Sequence, residues 1–138
     1  MTTLYTATAT AQGGREGHAK TDDGSLDVTL STPKSLGGPG GTGTNPEQLF
    51  AAGYAACFES ALRMVARLKK SPLTDAKITA KVALLKTDAG AFKLAVDLVG
   101  ALSGVSPEEA QGLMEAAHGV CPYSNATRGN IDVTLALA

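Results

Sequence analysis

The stretch TNPEQLFAAGYAACF (44–58) decides the fold. Asn45 is a suitable helix cap, and Pro46 suits the first helical position, where its missing N–H costs nothing. Thr44 and Glu47 also fit a capping box, which leaves the start open by one residue. From 49 to 58 no residue is charged. A helix that is apolar all round is expected to be buried all round. After Phe58 the pattern becomes amphipathic, with Glu59, Arg63, Arg67 and Lys70 on one side and Leu62, Val65 and Leu68 elsewhere. Ser71-Pro72 predicts the end of the helix near Lys70, because the residue before a proline is pushed out of the helical region. One long central helix therefore needs strands and a second helix to cover it.

The flanking sequence supplies them. Upstream, 6–10 (TATAT) alternates with period two and reads as a strand, followed by a turn over 12–17 (QGGREG). Leu26, Val28 and Leu30 alternate with polar residues as a second strand. Five glycines within 37–43 make a loop rather than a linker, since the residues before it are too few to form a separate core. Downstream, Ile78, Ala80, Val82 and Leu84 alternate, as do Phe92, Leu94, Val96 and Leu98, and Thr87-Asp88-Ala89-Gly90 between them predicts a hairpin. Ser106-Pro107-Glu108-Glu109 starts a second helix with a capping box, and Pro122 ends it. Ile131, Val133, Leu135 and Leu137 alternate as a last strand. The class is α+β, with helices laid on an antiparallel-rich sheet.

Composition narrows the function classes. A chain of 138 residues fits one domain, 1–138, able to bury a core without metal or disulfide staples. A net charge of −1 offers no electrostatic footprint for nucleic acid or an anionic membrane. No apolar run suggests a membrane span, and MTTLYTATAT lacks the features of a signal peptide, so a cytoplasmic location is expected. Two cysteines are too few for a secreted disulfide scaffold. In a reducing compartment such a pair is either inert core or working chemistry.

Cys57 lies inside the long helix and Cys121 at the end of the second, beside Pro122. Each alone reads first as a small core hydrophobe. If the two helices pack side by side, the sulfurs come within bonding reach. A reactive thiolate needs positive charge nearby. No basic residue lies close to Cys57 on its own helix before Arg63, which belongs to the polar face. Arg15, Arg128 and Lys34 remain as candidates, each of which reads equally as a solvated surface charge. Glu47 sits in the first helical turn, where a carboxylate is favoured and is at least a cap. His18 and His118 stand at no ligand spacing from a cysteine, so no metal is expected. The glycine-rich loop lacks a phosphate-binding motif, and G-x-S-x-G is absent. Phe50, Tyr54 and Phe58 surround Cys57 with apolar surface suited to an apolar substrate.

Four blocks, LYTATATAQGGREG (4–17), LSTPKSLGG (30–38), TNPEQLFAAGYAACF (44–58) and HGVCPYSNATRGNIDV (118–133), resemble the organic hydroperoxide resistance branch of the OsmC-like superfamily. They cover about half the chain in family order, while 71–116 match mainly in pattern. The resemblance implies an OsmC-like α+β fold with curved, antiparallel-rich sheets wrapped around long central helices. It implies an intertwined homodimer with active sites at the subunit interface. It places the peroxidatic cysteine on Cys57, the resolving cysteine on Cys121, the catalytic arginine on Arg15 and its orienting carboxylate on Glu47. It further implies organic hydroperoxides as substrates and no bound cofactor, with an external dithiol as reductant, either dihydrolipoamide or a lipoylated protein. At ~1.5 Å per residue, Glu47 and Cys57 stand roughly 15 Å apart along one helix, so sharing of sites across a dimer axis is expected. The rival readings are an OsmC-type peroxidase of other substrate preference, a non-catalytic redox sensor and a binding protein for apolar molecules.

Overall fold

The computed structural model describes all residues from Met1 to Ala138. The backbone divides into two compact units, Met1–Leu49 and Phe50–Ala138. The first holds an antiparallel sheet in the order β1-β2-β3, with β1 at Ala9–Gln12, β2 at His18–Thr21 and β3 at Asp27–Thr29. The expected first strand is displaced toward the C-terminus by about one turn's worth of residues, and β2 had no apolar alternation to announce it. A 3₁₀ turn at Gly14–Glu16 joins β1 to β2. Gly17 makes that turn possible, because a Cβ there would lie 1.8 Å from the Gln12 carbonyl oxygen. Leu30 is buried where it bridges to Thr44, and the glycine-rich segment is a loop as expected.

Helix α1 runs over Pro46–Leu68. Asn45 is its cap, accepting a hydrogen bond from the Gln48 N–H at 2.9 Å, while the Thr44 hydroxyl turns to the Gln48 side chain. The helix ends two residues before Lys70. The Ser71 N–H reaches the Ala66 carbonyl and the Lys70 N–H reaches that of Arg67, with Lys70 at φ 52, a left-handed closing motif that a proline alone does not predict. Leu68 is left exposed at that end, contrary to its expected place with Leu62 and Val65. By length and composition α1 passes for a membrane span, with a mean hydropathy of 1.2, because alanines raise its average without any long aliphatic run. Its largest fully buried side chains, Tyr54, Phe58 and Leu62, lie in the core of the second unit.

That core is built from α1, strands β4 at Asp75–Lys86 and β5 at Phe92–Ser103, and helix α2 at Pro107–Val120. The hairpin register pairs Lys86 with Phe92 and Asp75 with Ser103, so the alternating apolar positions fall on one face. Val96 and Leu98 are buried at its centre. Strand β6, Val133–Leu137, adds to β5 in parallel, giving the order β4-β5-β6. Ser106 caps α2 by accepting from the Glu109 N–H, as its capping box predicts. Pro122 does not simply end α2. It starts a further short helix, α3, at Pro122–Thr127.

Burial of α1 is one-sided. Ala52, Ala56, Ser60 and Met64 are exposed, so the expectation that 49–58 is buried all round fails for the single chain. Within the second unit, the β4-β5-β6 sheet and α2 pack against the buried side of the helix.

Candidate active site

The structure brings the expected site residues together in two pairs. In the first unit, Arg15 projects from the 3₁₀ turn and forms a two-pronged contact with Glu47, Nη1 to Oε2 at 2.8 Å and Nη2 to Oε1 at 2.6 Å. This fork matches guanidinium to carboxylate geometry and fixes both planes. The Arg15 guanidinium holds the Glu47 carboxyl below the usual glutamate range, and Glu47 raises Arg15 in turn. The turn is itself anchored, since Glu16 accepts a hydrogen bond from the Thr32 N–H. Of the other basic candidates, Arg128 is engaged with Asn125 and the His118 carbonyl, and Lys34 is exposed without an ion pair.

In the second unit, the sulfurs of Cys57 and Cys121 lie 3.6 Å apart as free thiols. Cys121 is wholly buried at the corner between α2 and α3, whereas Cys57 is half-buried on α1. Burial pushes the Cys57 thiol up from its ordinary value. The Tyr123 backbone N–H opposes this, and the neighbouring Cys121 adds to it. A thiol in this setting keeps its proton until a cation reaches it. What the pair can do chemically is close to a disulfide, because the sulfurs need approach only to about 2 Å.

The three aromatic residues expected around Cys57 separate. Tyr54 and Phe58 are fully buried core, and Phe50 is half-buried. The ring that joins Phe50 near the surface is Tyr123, with centroids 6.1 Å from Phe50 and 5.7 Å from Tyr54. Tyr123 was missed by the sequence reading, although a signal for it existed. Gly53 is the one glycine inside α1, where glycine costs about 1 kcal/mol relative to alanine. A Cβ at Gly53 would lie 2.9 Å from the Tyr123 hydroxyl oxygen. Beneath Tyr123, the Tyr54 hydroxyl meets Ser124 Oγ at 2.8 Å, and Ser124 meets His118 Nδ1 at 2.8 Å. The other histidine, His18, pairs with Asp27 on the first sheet.

The α+β chain thus holds two free thiols in contact, one buried and one half-open. The OsmC-like protein family matches residues 38–136, and the chain belongs to that family. It is 57% identical over 136 residues to the organic hydroperoxide resistance protein of Xanthomonas axonopodis pv. citri, covering 98% of this chain and 95% of that one. It is 51% identical to the organic hydroperoxide resistance protein OhrB of Bacillus subtilis, over 97% and 98% of the two chains. The crystal structure of an organic hydroperoxide resistance protein from Legionella pneumophila superposes with a TM-score of 0.95 at 53% identity, covering 99% of both chains. These comparisons bear out the expected family and its fold.

Proposed function

We propose that this protein detoxifies organic hydroperoxides as a thiol peroxidase in the cytoplasm. The observation that carries the reading is the contact of two free thiols at 3.6 Å in a chain so similar to organic hydroperoxide resistance proteins. Cys57 is the more open sulfur and attacks the distal peroxide oxygen. The O–O bond breaks, Cys57 becomes a sulfenic acid, and the departing alkoxide takes up a proton as alcohol. Cys121 then attacks the Cys57 sulfur, the S–O bond breaks, and a disulfide and water result. An external lipoyl dithiol reduces that disulfide by exchange and is itself oxidised to a cyclic disulfide.

Because burial keeps the proton on Cys57, the first step needs a cation. We assign that role to Arg15, oriented by Glu47 and contributed across a homodimer. It stabilises the thiolate and the charge developing on the leaving oxygen. The uncovered Ala52–Ala56–Ser60–Met64 face of α1, and the exposed Leu4 and Tyr5, favour a second copy of the chain as their cover. Phe50 and Tyr123 supply the apolar surface for the organic group, while Tyr54 and Phe58 lie behind them. The test is turnover of cumene hydroperoxide with dihydrolipoamide. Catalytic loss of peroxide matched by dithiol oxidation is expected. No consumption above the protein-free control would reject the peroxidase in favour of a sensor or binding protein.

A further inference from the structure

The peroxidase reading leaves unused a set of buried polar groups next to the sulfurs. Tyr54 and Ser124 are fully buried, Thr127 nearly so, and His118 half-buried. Tyr54 Oη contacts Ser124 Oγ at 2.8 Å and Thr127 Oγ1 at 3.2 Å, and Ser124 Oγ contacts His118 Nδ1 at 2.8 Å. Phenylalanine and alanine would fill the same core without any polar group to satisfy, so burying these hydroxyls buys arrangement rather than burial.

Their spacing shows which arrangement. Tyr54 precedes Cys57 by three residues on α1, His118 precedes Cys121 by three on α2, and Ser124 follows Cys121 by three on α3. Tyr54 and Cys57, three apart within α1, share a helix face. Cys121 is the corner residue, closing α2 and opening α3. The His118–Ser124 bond therefore spans the corner, and Tyr54 ties it to the turn of α1 that carries Cys57. Arg128 closes the outer side, donating to the His118 carbonyl at 2.5 Å and to Asn125 Oδ1 at 2.7 Å.

We propose that Ser124, with His118 and Tyr54, is a positioning staple that holds Cys121 for attack on oxidised Cys57. This rests on the peroxidase reading and concerns its second step alone. In that step the Cys121 sulfur bonds to the Cys57 sulfur, the S–O bond breaks, and hydroxide leaves with the Cys121 proton as water. The sulfurs must close from 3.6 Å to about 2 Å along the S–O axis. Burial and the Arg128 charge keep the His118 imidazole below its ordinary pKa, which favours the neutral ring, and the tautomer sets whether Nδ1 accepts from or donates to the Ser124 hydroxyl. Removing the Ser124 hydroxyl frees the corner, and a misplacement of ~1 Å slows an aligned reaction by up to ~10²-fold.

The experiment mixes reduced protein with one equivalent of cumene hydroperoxide and quenches on the millisecond scale. Mass spectrometry then counts sulfenic acid, as its dimedone adduct, and disulfide. For Ser124→Ala, sulfenic acid formation should stay within about twofold of wild type, while disulfide formation falls roughly tenfold or more. Excess peroxide should then drive Cys57 to sulfinic acid. His118→Ala should act in the same direction. His118→Asn, whose Oδ1 stands near the place of Nδ1, should recover most of the loss. Should Ser124→Ala fail to fold, the His118→Ala and His118→Asn pair, altered at a half-buried position, carries the test. Equal slowing of both steps, or of neither, assigns the staple to packing and overturns the inference. Wild-type protein that forms neither sulfenic acid nor disulfide overturns the peroxidase reading, and the staple with it.

Discussion

Substituting Gly53 by alanine isolates what holds the Tyr123 ring beside the thiols. In an open helix interior the change should stabilise by about 1 kcal/mol, because glycine gives up more backbone freedom on folding. Here the new methyl meets Tyr123 at 2.9 Å from Oη, 3.2 Å from Cε2 and 3.3 Å from Cζ. Comfortable contact lies at about 3.5–4.0 Å, so the ring must move aside by roughly half an ångström or swing out. Swinging out surrenders the packing on Phe50 and Tyr54, two aromatic pairs worth about 0.5–1.5 kcal/mol each. The expected net change is between about zero and 2 kcal/mol of destabilisation. With Tyr123→Ala already present, Gly53→Ala should stabilise by about 1 kcal/mol instead, giving a coupling of about 1–3 kcal/mol. Urea unfolding of the four proteins at one fixed protein concentration measures this. If Gly53→Ala has the same effect in both backgrounds to within about 0.5 kcal/mol, the ring is not what requires the glycine.

Four further outcomes follow from the site. Cys57→Ser should abolish peroxide consumption, whereas Cys121→Ser should permit one oxidation and then stall, as single-turnover mass spectrometry would reveal. A Cys57→Ser protein active at the wild-type rate would falsify the assignment. Organic hydroperoxides should exceed hydrogen peroxide in kcat/KM by on the order of a hundredfold, at about 0.8 kcal/mol for each CH₂ held in the transition state, and equal values would refute the apolar surface. Glu47→Gln should cost about 0.5–1 kcal/mol at pH 7, discounted because Arg15 is 36% exposed. Glu47 is depressed in the folded chain, so its contribution is present above the ordinary glutamate pKa and lost as pH falls through the folded value. The gap between wild type and Glu47→Gln should therefore close on acidification, and a gap constant from pH 7 to pH 2 contradicts the pairing. Finally, mixing inactive Arg15→Ala with inactive Cys57→Ser should restore activity through subunit exchange if sites are shared, and should restore nothing if each is built from one chain.

Elements that announce themselves through local chemistry were legible from residues alone. Asn45 and Ser106 cap the helices expected of them, and the alternation at 78–84 and 92–98 is the core of the β4–β5 hairpin. Elements defined by partners were not. Strand β2 is short and mostly polar, and nothing in the alternation of β6 says that it joins β5 in parallel. Helix α3 is six residues long, too short to display a periodic stripe. Among site residues, the cysteines and Glu47 stood out by position, but the pairing of Arg15 with Glu47 came from family resemblance, since spacing left three basic candidates. Tyr123, Ser124 and His118 acquire their meaning only when the corner at Cys121 folds over α1.

Under the proposed peroxidase cycle, the unequal burial of the two sulfurs would govern how the oxidised protein returns to its starting state. Thiol–disulfide exchange requires the incoming sulfur to approach in line with the bond it breaks, and its course depends on which sulfur is reachable. Cys121 is wholly enclosed and Cys57 is half-open. An incoming dithiol would therefore meet Cys57, and Cys121 would depart as the leaving thiolate. The mixed disulfide of that proposed cycle would be regiospecific: the reductant would be carried on α1 while the corner residue is set free, making Cys57 the nucleophile in one half of the cycle and the electrophile in the other.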